Sequence, residues 1–271
     1  MDIDSSRPPL DIAALRAMVT TPAGRWQRID VVPETGSTNA DLLTRAGAGE
    51  DIRGTVLVAE FQNAGRGRHG RAWSAPPRSQ LAVSVAVDAT GVPPAAWGWL
   101  PLATGVAVVD AVAEVTGVRA GLKWPNDVLV ADGKLAGILA EVAAPEPVIV
   151  VGFGLNVTLT ADEAPDPAAV SLALLGVPEV DRNLLLGKIL AHLAKRVERW
   201  RSAGGADDEL AADYRRHSVT LGTNVRVSLP GDRQVRGIAR DVDELGRLLI
   251  DSDAGSVTVA AGDVTHLRPD R

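Results

Sequence analysis

Residues 121–157 read GLKWPNDVLVADGKLAGILAEVAAPEPVIVVGFGLNV. Runs rich in Val, Ile and Leu are parted by an Asp132-Gly133 pair and by a Pro-rich break, which predicts three strands over 121–130, 134–143 and 147–157. Asp-Gly is favoured at the centre of a two-residue type I′ hairpin, so residue 131 is expected to face 134, 129 to face 136 and 127 to face 138. In that register Asp127 and Lys134 share a face about 13 Å apart, at a rise of about 3.3 Å per residue. That is too far for a salt bridge and suits the two ends of an elongated ligand. Without a ligand, the same residues are a solvated hairpin lysine and a turn aspartate, with Trp124 in the core and Pro125 in the turn. Gly152 and Gly154 interrupt an apolar strand, where a missing side chain marks the close approach of a ligand or another backbone. Their G-x-G lacks the third glycine of a dinucleotide motif.

Upstream, TVLVAEFQ (55–62) and QLAVSVAV (80–87) read as two more strands, joined by the loop QNAGRGRHGRAW (62–73). Glycines free that loop's backbone to approach a ligand, and its three arginines supply planar fork donors suited to phosphate. It lacks the Gly-Lys-Ser/Thr end of a P-loop, and one short Arg-Gly tract without interleaved aromatics is a weak sign of RNA contact. Residues 26–43 predict a strand turning into a helix, with Ser37, Thr38 and Asn39 all suited to cap it. Further helices are expected over 10–19, 183–201 and 207–216, and one long buried helix from Pro93 to Gly117. Beyond His217 the chain changes to short alternating strands with close Gly, Pro and Asp turns, the pattern of a small β-barrel or sandwich. Two domains are therefore expected, 1–217 and 218–271.

Composition narrows the chemistry. Lys and Arg number 28 against 34 Asp and Glu, a formal charge of −6, so any polyanion site must be local. The absence of cysteine excludes disulfides, thiolate metal sites and a Cys nucleophile. The spacing of His69, His192, His217 and His266 does not fit zinc, and neither G-x-S-x-G nor H-E-x-x-H occurs. No apolar run is read as approaching bilayer length and the N-terminus is acidic, so a cytoplasmic protein without membrane contact is expected.

GSTN, GRGRHGRAW, KWPNDVLV, GKLAGILAE and GFGLNV, in this order and spacing, resemble the catalytic domain of biotin protein ligases, and the segment after His217 resembles that family's C-terminal domain. The resemblance implies an α+β fold: a mixed β-sheet flanked by helices, as in class II synthetases and biotin/lipoate ligases, followed by a small SH3-like β-barrel. It implies two steps, in which biotin and ATP give biotinyl-5′-AMP and pyrophosphate, and a lysine of a biotin carboxyl carrier domain then takes the biotin. Mg²⁺ would accompany ATP. By resemblance, Ser37, Thr38, Asn39 and Gln62 satisfy the neutral ureido ring, while Arg66, Gly67, Arg68, Lys134 and Gly137 complete the biotin site. ATP would meet Arg68, Arg71, Trp73, Asn126, Asp127, Lys134 and Asn156. Lys134, Arg68 and Asp127 are the catalytic candidates, Asp127 also the magnesium ligand and a possible aid to lysine deprotonation. Position 69 is His where a familiar form of the motif has arginine, so an imidazole stands in place of a fixed charge. About 24 residues precede the first ligase strand, too few for the winged-helix domain that some members use to bind DNA, so no sequence-specific DNA binding is expected. A lipoate or octanoate ligase or transferase of the same superfamily is the alternative enzyme, and a non-catalytic regulator binding adenylate or nucleic acid the alternative outside enzymes.

Overall fold

The computed structural model describes residues 7–20, 25–145, 147–229, 233–260 and 262–267; the rest of the acidic leader and the chain end at 268–271 lie outside them. Helix α1, Ile12–Val19, is capped by Asp11, whose carboxylate accepts from the Ala14 N–H. Strand β1 is Arg28–Val32, and α2, Thr38–Gly47, is capped by Ser37. Strands β2, Thr55–Ala59, and β3, Gln80–Asp88, flank the basic loop as expected. Helix α3 is Trp99–Thr116, followed by β4, Gly121–Lys123, β5, Asp127–Val130, β6, Gly133–Ala143, and β7, Val148–Asn156. Helices α4, Arg182–Ala203, and α5, Asp208–His217, lead into β8, Asn224–Leu229, β9, Arg233–Val242, β10, Leu248–Ser252, β11, Gly255–Val259, and β12, Asp263–His266.

The first seven strands form one sheet in the order β1-β2-β3-β7-β6-β5-β4. It is mixed, since β1 and β2 run parallel while the other pairs are antiparallel. The central β3 and β7 are almost wholly buried, which is why they read as continuous apolar runs. On one face the sheet packs with α3 and α4 into the main core; on the other, Leu42 of α2 meets Leu57, Ala86 and Val150. The last five strands form an antiparallel sheet in the order β11-β10-β9-β8-β12; closure into a barrel is not part of the pairing among the described residues. This small unit is fixed to the large one through tryptophans: Trp99 Nε1 donates to the Asp243 carbonyl at 3.1 Å and Trp124 Nε1 to the Gly246 carbonyl at 3.0 Å.

Four expectations are corrected. The predicted helix from Pro93 begins as a 3₁₀ turn, Pro94–Gly98, and becomes α-helical at Trp99, while Gly117 ends it with φ 73° as its position suggested. Pro94–Thr116 is, by length and composition, apolar enough to cross a bilayer, contrary to the reading that no such run exists; it is a core helix, mostly buried inside the protein. Residues 121–130 form two strands because Trp124, Pro125 and Asn126 turn the chain between β4 and β5.

The hairpin register differs as well. Val130 faces Gly133 and Leu129 faces Lys134, so the turn is Ala131-Asp132, with Ala131 at φ 50°. One residue is then absorbed, leaving Val128 opposite Ala136 and Asp127 opposite Gly137. The extra residue is Leu135, fully buried, and burying it is the physical reason for the bulge. Gly137 offers no side chain, so the Lys134 chain lies across it and brings Nζ to 2.7 Å from Asp127 Oδ1. The pair judged too distant for a salt bridge is therefore an ion pair.

Candidate active site

Even-numbered residues of β7 share one face of the sheet, and three of them, Gly152, Gly154 and Asn156, run along about 13 Å of it. A methyl group at Gly152 would stand 2.3 Å from Asn39 Oδ1, and one at Gly154 would stand 2.2 Å from Trp73 Nε1. The glycines thus clear a floor on which the start of α2 and the end of the basic loop can lie. Above it opens a cavity of about 630 Å³, within the usual range for a small-molecule site. Every site residue expected from the sequence lines it: Ser37, Thr38, Asn39, Gln62, Arg66, Gly67, Arg68, Arg71, Trp73, Asn126, Asp127, Lys134, Gly137 and Asn156.

At the Gly152 end Thr38, Asn39, Gln62 and Ser84 are buried and neutral, with the Arg66–Glu141 ion pair at their margin. Gln62 Oε1 accepts from the Thr38 N–H at 2.8 Å and from the Thr38 hydroxyl at 3.1 Å, which leaves the Gln62 amide N–H groups as donors. The Ser84 hydroxyl lies 2.7 Å from Thr38 Oγ1 and 2.6 Å from Asn39 Oδ1. Asn39 Nδ2 donates to the Leu139 carbonyl at 3.2 Å and to Glu141 at 2.8 Å. With its amide so engaged, Asn39 shapes the wall, and Glu141 also lies 3.5 Å from Arg66, linking the helix start to the loop.

The opposite end is cationic. Burial pulls the Arg68 guanidinium below its ordinary pKa, Asp263 and Asp127 pull it back up, and Arg71 adds to the lowering. Arg68 Nη1 donates to Asn126 Oδ1 and to the Gly262 carbonyl, both at 3.3 Å. Asn126 in turn donates to the Ile138 carbonyl at 2.9 Å, so the loop is tied to β6 through one amide. His69, at φ 55°, turns the loop within a 3₁₀ segment and is half-exposed. Between the ends, Lys134 Nζ lies 5.5 Å from the centre of the Trp73 ring, whose Nε1 donates to Gln80 at 2.6 Å. Asn156 donates to the Val170 carbonyl at 3.0 Å and the Lys134 carbonyl at 3.4 Å, which holds 168–170 beside the lysine.

Sequence reasoning missed Ser84, Glu141, Asp166 and Asp263. The first two carried a weak signal, a lone hydroxyl in an apolar strand and an acid at the end of another. Asp263 had none, because it belongs to β12 of the small unit. Among the described residues no three His, Asp or Glu side chains gather into a metal cage. Asp127 Oδ1 is buried without a hydrogen bond, its contact with Lys134 being an ion pair by distance but outside hydrogen-bond angles. The Asp127 carboxylate, ion-paired with Lys134, fits Mg²⁺ that arrives on a nucleotide, since that ion is commonly held by one or two carboxylates plus phosphates.

Residues 33–156 match the Biotin/lipoate A/B protein ligase family, and residues 220–267 match the Biotin protein ligase C terminal domain. The biotin--[acetyl-CoA-carboxylase] ligase of Mycobacterium tuberculosis is 54% identical over 98% of this chain and 99% of its own. The bifunctional ligase/repressor BirA of Escherichia coli is 31% identical over 83% of this chain and 70% of its own. Among solved structures, the biotin protein ligase of Aquifex aeolicus in complex with biotin and ATP superposes with a TM-score of 0.76 at 26% identity, covering 90% of this chain and all of that one.

Proposed function

The chain belongs to the biotin/lipoate A/B protein ligase family, and from that premise we propose how the cavity performs the family's chemistry. The protein is an ATP-dependent biotin ligase of the biotin-[acetyl-CoA-carboxylase] type: it forms biotinyl-5′-AMP and passes biotin to a lysine of a biotin carboxyl carrier domain. One observation carries the assignment of roles. A single cavity joins a neutral hydrogen-bonding end to a cationic end, with the Lys134 amine between them.

Biotin is apolar apart from a neutral ureido ring and a carboxylate, and the two ends of the cavity answer that division. Ser37, Thr38 and Gln62 satisfy the ring, with the Gln62 N–H groups directed to its carbonyl; Asn39 holds this wall in place. The carboxylate then reaches Gly137 and the Lys134 amine. A carboxylate oxygen attacks the α-phosphorus of ATP, the bond from that phosphorus to the β-phosphate bridge breaks, and pyrophosphate leaves. Lys134, Arg68 and Arg71 face the negative charge that develops there. Trp73 and Asn156 border the space for the adenine, and Asn126 positions Arg68. When bound, Mg²⁺ would be held by Asp127 together with the nucleotide's phosphates and would neutralise part of their charge. In the second step the acceptor amine attacks the anhydride carbonyl and AMP departs; we assign the amine's proton to Asp127, a carboxylate lining the cavity beside Lys134. The backbone of Arg66, Gly67 and Arg68 folds over the adenylate and keeps water from the anhydride.

On this reading residues 1–217 form the catalytic domain and 218–271 the small β-domain. A net charge of −6 supports action on a carrier protein rather than on DNA, and ATP as substrate supports a cytoplasmic location. The test is exchange of labelled pyrophosphate into ATP with biotin, lipoate and octanoate in parallel. Exchange with biotin alone is expected; exchange driven by lipoate or octanoate would move the assignment to the sister ligases, and none with any acid would point to a binding protein.

A further inference from the structure

The phosphate-facing cations of the loop already have an anionic partner, and it comes from the other domain. Arg71 Nη2 donates to Asp263 Oδ2; His69 Nε2 lies 3.7 Å and Arg68 Nη1 4.0 Å from Asp263 Oδ1. Asp263 itself lines the cavity, together with Val264 and Thr265. It is set firmly. The β12 ladder pairs it with Ser228, and its neighbour Gly262 lies so close to Val227 that a methyl group there would come within 2.7 Å of it. The loop, by contrast, carries Gly65, Gly67 and Gly70.

We propose that Asp263 is a resident competitor for phosphate: its carboxylate pairs with Arg68 and Arg71 before nucleotide binds, and ATP must draw the arginines away from it. A carboxylate within about 4 Å of those cations both cancels charge that the phosphates would meet and repels the phosphates directly. The exchange of partners sets how tightly ATP binds and how readily pyrophosphate leaves, and it makes the small domain a determinant of nucleotide affinity. This inference rests on the reading that the loop arginines meet phosphate.

Asp263→Asn keeps the shape and removes the charge. Since each pairing is partly exposed, the expected fall in KM for ATP is about three- to tenfold, with KM for biotin unchanged and pyrophosphate inhibition strengthened to a similar degree. Asp263→Glu should return KM for ATP toward the wild-type value, a rescue that a merely structural role would not produce with KM for biotin constant throughout. Asp263→Ser, a second neutral variant, must move KM for ATP in the same direction. In an Arg71→Gln background the Asp263→Asn gain should shrink, because one of the competed cations is gone. An unchanged KM for ATP in both neutral variants would overturn the proposal; a raised one would place Asp263 on the magnesium or the nucleotide instead. Absence of biotin-dependent exchange in the wild type would strike the functional reading, not this one alone.

Discussion

On the proposed reading, Lys134 concentrates the chemistry of the site in one amine. It faces Asp127, lies across Gly137, and is about a third exposed, so its ion pair adds little to stability. Lys134→Ala is therefore expected to lower biotin-dependent pyrophosphate exchange by about 10²–10³-fold, the scale of losing a charge stabiliser at a developing anion, with an unchanged melting temperature. Exchange within a few-fold of wild type would make the lysine a hairpin residue only. Arg68 has a different task. It joins the loop to Asn126 and to the Gly262 carbonyl, and on the proposed reading it retains the adenylate phosphate. Arg68→Gly should leave adenylate formation partly intact while speeding biotinyl-5′-AMP release by about tenfold or more, the worth of one charge-assisted hydrogen bond. The escaped adenylate would label lysines on bystander proteins. An unaltered release rate, measured on preformed adenylate by rapid dilution, removes the basis of that expectation.

At the level of elements, the site depends on strands that lack side chains where ligands and loops must lie. Gly154 is the sharpest case, since a methyl group there would overlap the Trp73 indole. Gly154→Ala is expected to cost about 1–3 kcal/mol of stability through overpacking and to raise KM for ATP as Trp73 is displaced. Loss of stability with an unchanged KM for ATP would separate Trp73 from the nucleotide. The same element shows what a sequence can reveal. GFGLNV and GRGRHGRAW are contiguous, so their spacing and chemistry could be read directly, and Asn156, Arg66, Arg68, Arg71 and Trp73 of these segments all reach the cavity, while His69 does not line it. The Asp127–Lys134 contact could not be read, because it turns on a bulge that arises from burying Leu135 against residues remote in sequence. Nor could the role of Ser84 and Glu141, which depends on the strand order placing β3, β7 and β6 side by side beneath α2.

Across the whole molecule, the cavity is closed by pieces from distant parts of the chain. Asp263 reaches Arg71 across 192 residues of sequence, a juxtaposition that only the docking of the small domain creates. The N-terminal segment is fastened in a comparable way: Arg7 donates to the Thr158 carbonyl at 2.8 Å and to Glu163 Oε2 at 2.6 Å, just before Pro165 and Asp166 reach the cavity rim. Hydrogen bonds from Arg7, then those from Thr160, outweigh the opposing effect of burial and hold the Glu163 carboxyl down to about 2, against an ordinary 4.5. A carboxylate with a depressed folded-state pKa stabilises the protein fully above its unfolded value, and that contribution fades as pH falls from about 4.5 to about 2. Glu163→Gln should therefore melt lower than wild type at pH 6, by about 2–4 °C for a chain of this size and less if solvent screens the pair. The gap should narrow steadily below pH 4.5 and close near pH 2. Calorimetric melting of both proteins across that range tests it. Because other depressed carboxylates, Asp110 and Asp243 among them, titrate identically in the two proteins, the difference isolates Glu163, and a gap that stays constant with pH would mean the Arg7 pairing contributes no linkage.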